Sequence, residues 1–287
     1  VLGIWFIGFL LVGLAMLTVL MIMAGYGKLK VRFFFSSRST GSVYIETFAI
    51  WICMFLLLQI IMEAIPSIFL LGDSSLAKYM GPEFGLLSSL FVMFLSLSAL
   101  VWPKIRGVSS AQLFEDIGLA RVNVFKEILP GFATYAMALP LLIVGLLLSL
   151  VVAFVLNAVF GEQPAPSHPI QGLIGEGGWV TILLIYLVAC VGAPITEEIM
   201  FRGVLYRYLR EFSRRSGLIL SLMFSMLVSS FLFAAIHPQG LSFIPVLGAL
   251  AVAFCIGREW RGSLVAPMFA HGLSNGVVMT FNVVLAS

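Results

Sequence analysis

Apolar residues run along this chain in long blocks, separated by short stretches that gather the charges, prolines and glycines. Blocks of about 20 apolar residues without two-residue alternation are the pattern of helices that cross a bilayer. The spacing predicts eight helices, at 2–25, 44–71, 85–103, 129–158, 179–201, 217–237, 241–257 and 263–285. The second and fourth are longer than a bilayer requires and are expected to tilt or project. Pro140 is expected to kink the fourth. The first block exceeds a signal-peptide core and lacks a small-residue cleavage site, so it reads as a true span. The predicted fold class is all-α: a polytopic membrane helical bundle of about eight transmembrane helices, forming a single integral membrane domain over 1–287.

Composition removes the soluble alternative. Hydrophobic residues make up 61% of the chain and charged residues 10%, against roughly 25% charged in a soluble domain. The net charge of +3 therefore implies no nucleic-acid partner; the position of each cation along the chain matters more. If the N-terminus is outside and each block crosses once, every Lys and Arg except Lys78 falls in an inside segment. Those segments hold Lys28 to Arg38, Lys104 to Lys126, Arg202 to Arg215, and Arg258 with Arg261. Both termini are then expected to face away from the cytoplasm. Residues 108–128 mix charge with Leu113, Phe114, Ile117 and Phe125 and are expected to form an interfacial elbow. Residues 159–178, rich in Pro and Gly, are expected to be an outside loop. Cys53, Cys190 and Cys255 sit in apolar runs with no pairing pattern and read as packing residues.

Ionisable side chains inside hydrocarbon are costly, and each calls for an explanation. The C-terminal half holds three groups: Glu197, Glu198 and Arg202; His237; and His271 with Asn275. Glu198 and Arg202 are four apart, acid first, the favourable order for a helical ion pair. Glu197 projects about 100° away around the helix and has no cation at that spacing, which leaves it free to act as a base. His271 and Asn275, also four apart, share a face that can donate two hydrogen bonds to one developing oxyanion. His237, before Pro238, is expected at a helix end, where its ring can hold a water against Glu197. Glu63, one turn after Gln59 in the second block, reads as an interhelical partner, and His168 as a solvated loop residue.

Glu-Glu-x-x-x-Arg at 197–202, Phe-x-x-x-His at 233–237 and His-x-x-x-Asn at 271–275 occur in that order within residues 192–276. Together with Phe-Arg-Gly at 201–203 and Phe-Glu-Asp-Ile-Gly-Leu at 114–119, they resemble the CAAX-protease and bacteriocin-processing (CPBP, or Abi) family. The resemblance implies a glutamate-type intramembrane endopeptidase with its catalytic core at 179–287. In that reading Glu197 and His237 activate water, His271 and Asn275 form the oxyanion site, and Glu198 and Arg202 support them. The implied partners are a membrane-associated peptide or protein substrate and the lipid bilayer.

No His-Glu-x-x-His, Gly-x-Ser-Gly or paired intramembrane Asp is present, so the usual zinc, serine and aspartyl forms are not expected. No cofactor is expected. The alternative is a divalent metal such as Zn, with Glu197, His237 and His271 as ligands. Two non-catalytic readings compete: a membrane scaffold or immunity-type binding protein, and a proton-coupled transporter. The sequence also poses a depth problem. Glu197 lies about 15 Å from an inner edge at Arg207, whereas His237 lies about 33 Å beyond Arg215 if the chain between is helical. The expectation is that the sixth helix begins outside the bilayer.

Overall fold

The computed structural model describes residues 2–33, 40–72, 81–120, 122–161, 173 and 178–286. Arg38, Asp73, Lys78, Arg121, His168 and most of the 159–178 connection lie outside the described residues. The described residues form helices joined by short turns, with no strand among them. We number them α1 Leu2–Gly25, α2 Val43–Gly72, α3 Pro82–Ile105, α4 Ser110–Asp116, α5 Val124–Phe160, α6 Trp179–Ser216, α7 Leu218–Ala235, α8 Leu241–Arg261 and α9 Val265–Ala286. All but α4 are long and apolar enough to cross a membrane, and the protein is a multi-pass membrane protein. The eight expected blocks are present; the largest departure is α6, which runs on to Ser216 rather than ending at 201.

α5 is the hub, packed against α1, α8 and α9. Its approach to α1 follows from one proline. Pro140 lies within α5 and cannot give an N–H to the Ala136 carbonyl four residues earlier. Gly13 of α1 packs directly against that carbonyl oxygen, at a distance that leaves no room for a side chain. A bare Cα over a freed carbonyl is a close helix–helix contact that supplies a weak Cα–H···O interaction.

The expected interfacial elbow is partly core. Ser109 caps α4 by accepting from the Gln112 N–H, and Leu113 and Ile117 are buried while Phe114 is exposed. Asp116, expected in a connection, is fully buried. It accepts from Tyr44 Oη at 2.8 Å and from Arg207 Nε and Nη2 at 3.3 and 3.2 Å. Arg207 is therefore an interior residue and not the inner edge that the sequence placed there. Arg210 is likewise buried, with Nε donating to Glu259 Oε1 at 2.6 Å. Such pairing offsets the desolvation cost of a buried guanidinium.

That correction resolves the depth problem. α6 continues past Arg207 and Arg210 to a turn at Gly217, whose φ of 85° lets the chain reverse into α7. Gly217 is equally far in sequence from Glu197 and His237. The two arms of this hairpin carry both residues back to the same level.

Candidate active site

α6 is not a uniform α-helix. Two stretches, Val188–Gly192 and Glu198–Leu205, have the wider π-helical turn, a feature that concentrates at functional sites. The first stretch ends just before Pro194, which has no N–H for the Cys190 carbonyl. α9 meets the disturbed turn with two devices. Asn275 Nδ2 donates to the Ala189 carbonyl at 2.8 Å. Gly272 lies against the Cys190 carbonyl, where a Cβ would come within 2.5 Å of the oxygen. His271 and Asn275 are thus fixed against the helix that carries the two glutamates.

Glu198 and Arg202 are both fully buried, and Arg202 Nη1 donates to Glu198 Oε1 at 3.0 Å, as the spacing predicts. Arg202 Nη2 donates to the Ala251 carbonyl at 3.2 Å. The guanidinium lies over the rings of Phe233 and Phe254, 4.5 and 5.2 Å from their centroids. Aromatic faces attract a cation and exclude water from it. His271 Nδ1 donates to the same Glu198 oxygen at 3.0 Å, and its ring stacks on Phe254 at 4.9 Å. Phe254 carries no sequence signal that separates it from other core aromatics, and sequence reasoning missed it.

Glu197 faces both histidines. Its Oε2 is 3.8 Å from His237 Nε2 and 3.7 Å from His271 Nε2. Both contacts exceed a direct hydrogen bond. His237 Nδ1 is 2.6 Å from the Phe233 carbonyl. A carbonyl only accepts, so Nδ1 carries the proton, and in the neutral ring Nε2 presents a lone pair towards Glu197. The ring also packs on Phe233, with centroids 4.4 Å apart. Unlike buried Glu198, Glu197 and His237 keep part of their side-chain surface open, 21% and 17%.

The structure thus brings Glu197, Glu198, Arg202, His237 and His271 together, while Asn275, one turn from His271, is hydrogen-bonded to the Ala189 carbonyl. Among the described residues, no three His, Cys, Asp or Glu side chains are grouped as metal ligands. Glu63 lines a cleft between α2 and α3, outside this cluster. Cys190 is partly buried beside Gly276 of α9, and Cys255 is buried in the core.

Residues 179–277 match the family described as type II CAAX prenyl endopeptidase Rce1-like. The membrane-embedded CAAX protease MroQ of Staphylococcus aureus (strain USA300) is 31% identical over 132 residues, which cover 46% of this chain and 51% of that protein. The match therefore spans about half of that relative's length. No solved structure gives a significant match.

Proposed function

We propose, from a chain whose residues 179–277 belong to the CAAX-protease and bacteriocin-processing family, that the protein is a glutamate-type intramembrane endopeptidase. The observation that carries this reading is the approach of the Nε2 atoms of His237 and His271 to Glu197 Oε2, at 3.8 and 3.7 Å. Glu197 Oε2 and His237 Nε2 are two acceptors at a spacing that one water can bridge, donating one hydrogen to each. Glu197 removes a proton as the water oxygen attacks the peptide carbonyl carbon. The second N–H of the Asn275 amide then donates to the oxyanion, and His271 joins it through Nε2 only as the imidazolium, because its Nδ1–H is already given to Glu198. Glu197 returns the proton to the departing amine as the C–N bond breaks. The products are a carboxylate and a free amine, so one water is consumed and Glu197 is regenerated.

Glu197, His237 and His271 are also the residue types that a zinc ion would use, although among the described residues no three such side chains are grouped as a metal site. Both histidines have their other nitrogen hydrogen-bonded, as metal-bound imidazoles do. The test is cleavage of a membrane proteome by the wild type and by Glu197→Gln, each with and without a membrane-permeant chelator. Wild type is expected to cleave with or without chelator, while Glu197→Gln loses about 10²–10⁴-fold in rate with unchanged thermal unfolding. Chelation that abolishes cleavage, with recovery on adding Zn²⁺, would replace the metal-free mechanism. Full activity in Glu197→Gln would remove Glu197 as the base.

A further inference from the structure

A cleft of about 310 Å³ opens between α2 and α3, lined by Gln59, Met62 and Glu63 of one helix and Phe84, Gly85 and Ser88 of the other. It uses a different face of α3 from the one that packs on α6 through Leu86, Leu90 and Met93. Gln59 and Glu63 lie one turn apart, and both are exposed. Among the described residues no cation forms a salt bridge with Glu63. A carboxylate on an apolar helix is costly without a ligand or water to solvate it.

The depth of the cleft identifies its surroundings. α2 runs nine residues past Glu63 to Gly72, so the level of the cleft is read from α3 and α6. Phe84 follows Glu83, which accepts from Thr181 Oγ1 near the start of α6. That start is marked by Trp179, whose side chain is largely exposed, and tryptophan is characteristic of the headgroup level. Towards the bilayer centre the cleft is continued by exposed apolar residues, Leu56 on α2 and Leu95 on α3. A carboxylate, an amide oxygen and a hydroxyl at headgroup level, above apolar residues, form a receptor for an amphiphile with a cationic head.

We propose that this cleft binds the headgroup of an aminophospholipid. Its primary ammonium is held by Glu63 and the Gln59 carbonyl oxygen, the Ser88 hydroxyl reaches the phosphate, and the acyl chains lie along Leu56 and Leu95. The site is separate from Glu197, and its occupation requires no proteolysis.

The experiment is native mass spectrometry of the purified full chain titrated with phosphatidylethanolamine and with phosphatidylglycerol. The wild type is expected to prefer phosphatidylethanolamine by roughly tenfold, as a charge-assisted hydrogen bond provides. Glu63→Gln should lose the preference. Gly85→Leu should lose it too, because a Cβ at Gly85 meets nothing within 4 Å and the larger side chain fills the cleft without a clash. Thermal unfolding of both variants should match the wild type. Equal binding of the two lipids by the wild type, or a preference that survives in both variants, overturns the proposal. So does a lysine-containing peptide that binds the wild type but not Glu63→Gln while neither lipid is preferred; the cleft would then serve a peptide.

Discussion

Glu198 Oε1 accepts from Arg202 Nη1 and His271 Nδ1, each at 3.0 Å. One carboxylate thus joins the ion pair expected from the sequence to a histidine 73 residues away. Glu198→Ala should leave Arg202 buried without its charge partner and is expected to destabilise the protein by about 3–5 kcal/mol. Thermal unfolding in detergent checks this; a stable, inactive Glu198→Ala beside an active Glu197→Gln would reverse the roles of the two glutamates. Which of the two meets Arg202 was legible in the sequence, because four-residue spacing fixes it. The His271 tie to Glu198 and the Asn275 tie to Ala189 were not legible. Both are long-range contacts set by how α9 packs on α6, and no local pattern encodes that.

Helices in this bundle approach most closely where a proline frees a carbonyl and a neighbouring glycine covers it. Pro140, Ala136 and Gly13 do this between α5 and α1, and Pro194, Cys190 and Gly272 do it between α6 and α9. The second contact adjoins His271, so its geometry bears on the site. Gly272→Ala would press a methyl group to about 2.5 Å from the Cys190 oxygen, and backbone cannot yield as a flexible side chain can. The substitution is expected to cost about 1–3 kcal/mol as overpacking and to lower turnover by displacing His271. Stability and cleavage measured on the one variant check both effects, and wild-type behaviour in both would mean that α9 is less tightly set than the structure has it. The eight spans were legible from hydropathy alone. The reach of α6 was not, since Arg207, Arg210 and Glu211 read as an aqueous edge until Asp116 and Glu259 are seen beside Arg207 and Arg210.

Across the whole molecule, contacts gather the helix ends that the charge map assigns to one side. Arg106 pairs with Glu46 at 3.4 Å, and Arg261 is bidentate to Glu127 at 2.7 and 3.0 Å. The Arg32 N–H donates to the Glu259 carbonyl at 2.8 Å, and Thr40 donates to Glu211. At the opposite end Thr181 meets Glu83. The bundle therefore has one cation-rich end, which we propose, by the positive-inside rule, faces the cytoplasm. Single cysteines at Gly27, Arg106 and Arg215 should react only from the cytoplasmic side, and those at Gly81 and Gly178 only from outside. Labelling of Gly178 from within would invert the orientation. The hairpin of α6 and α7 carries one more consequence, for how the length of this protein can vary. Glu197 and His237 face each other from arms whose turn lies about 30 Å away. One residue inserted in either arm would move its histidine or glutamate by about 1.5 Å along and 100° around the helix. The geometry of the site therefore ties its function to the number of residues between Glu197 and His237, which an insertion in either arm would test.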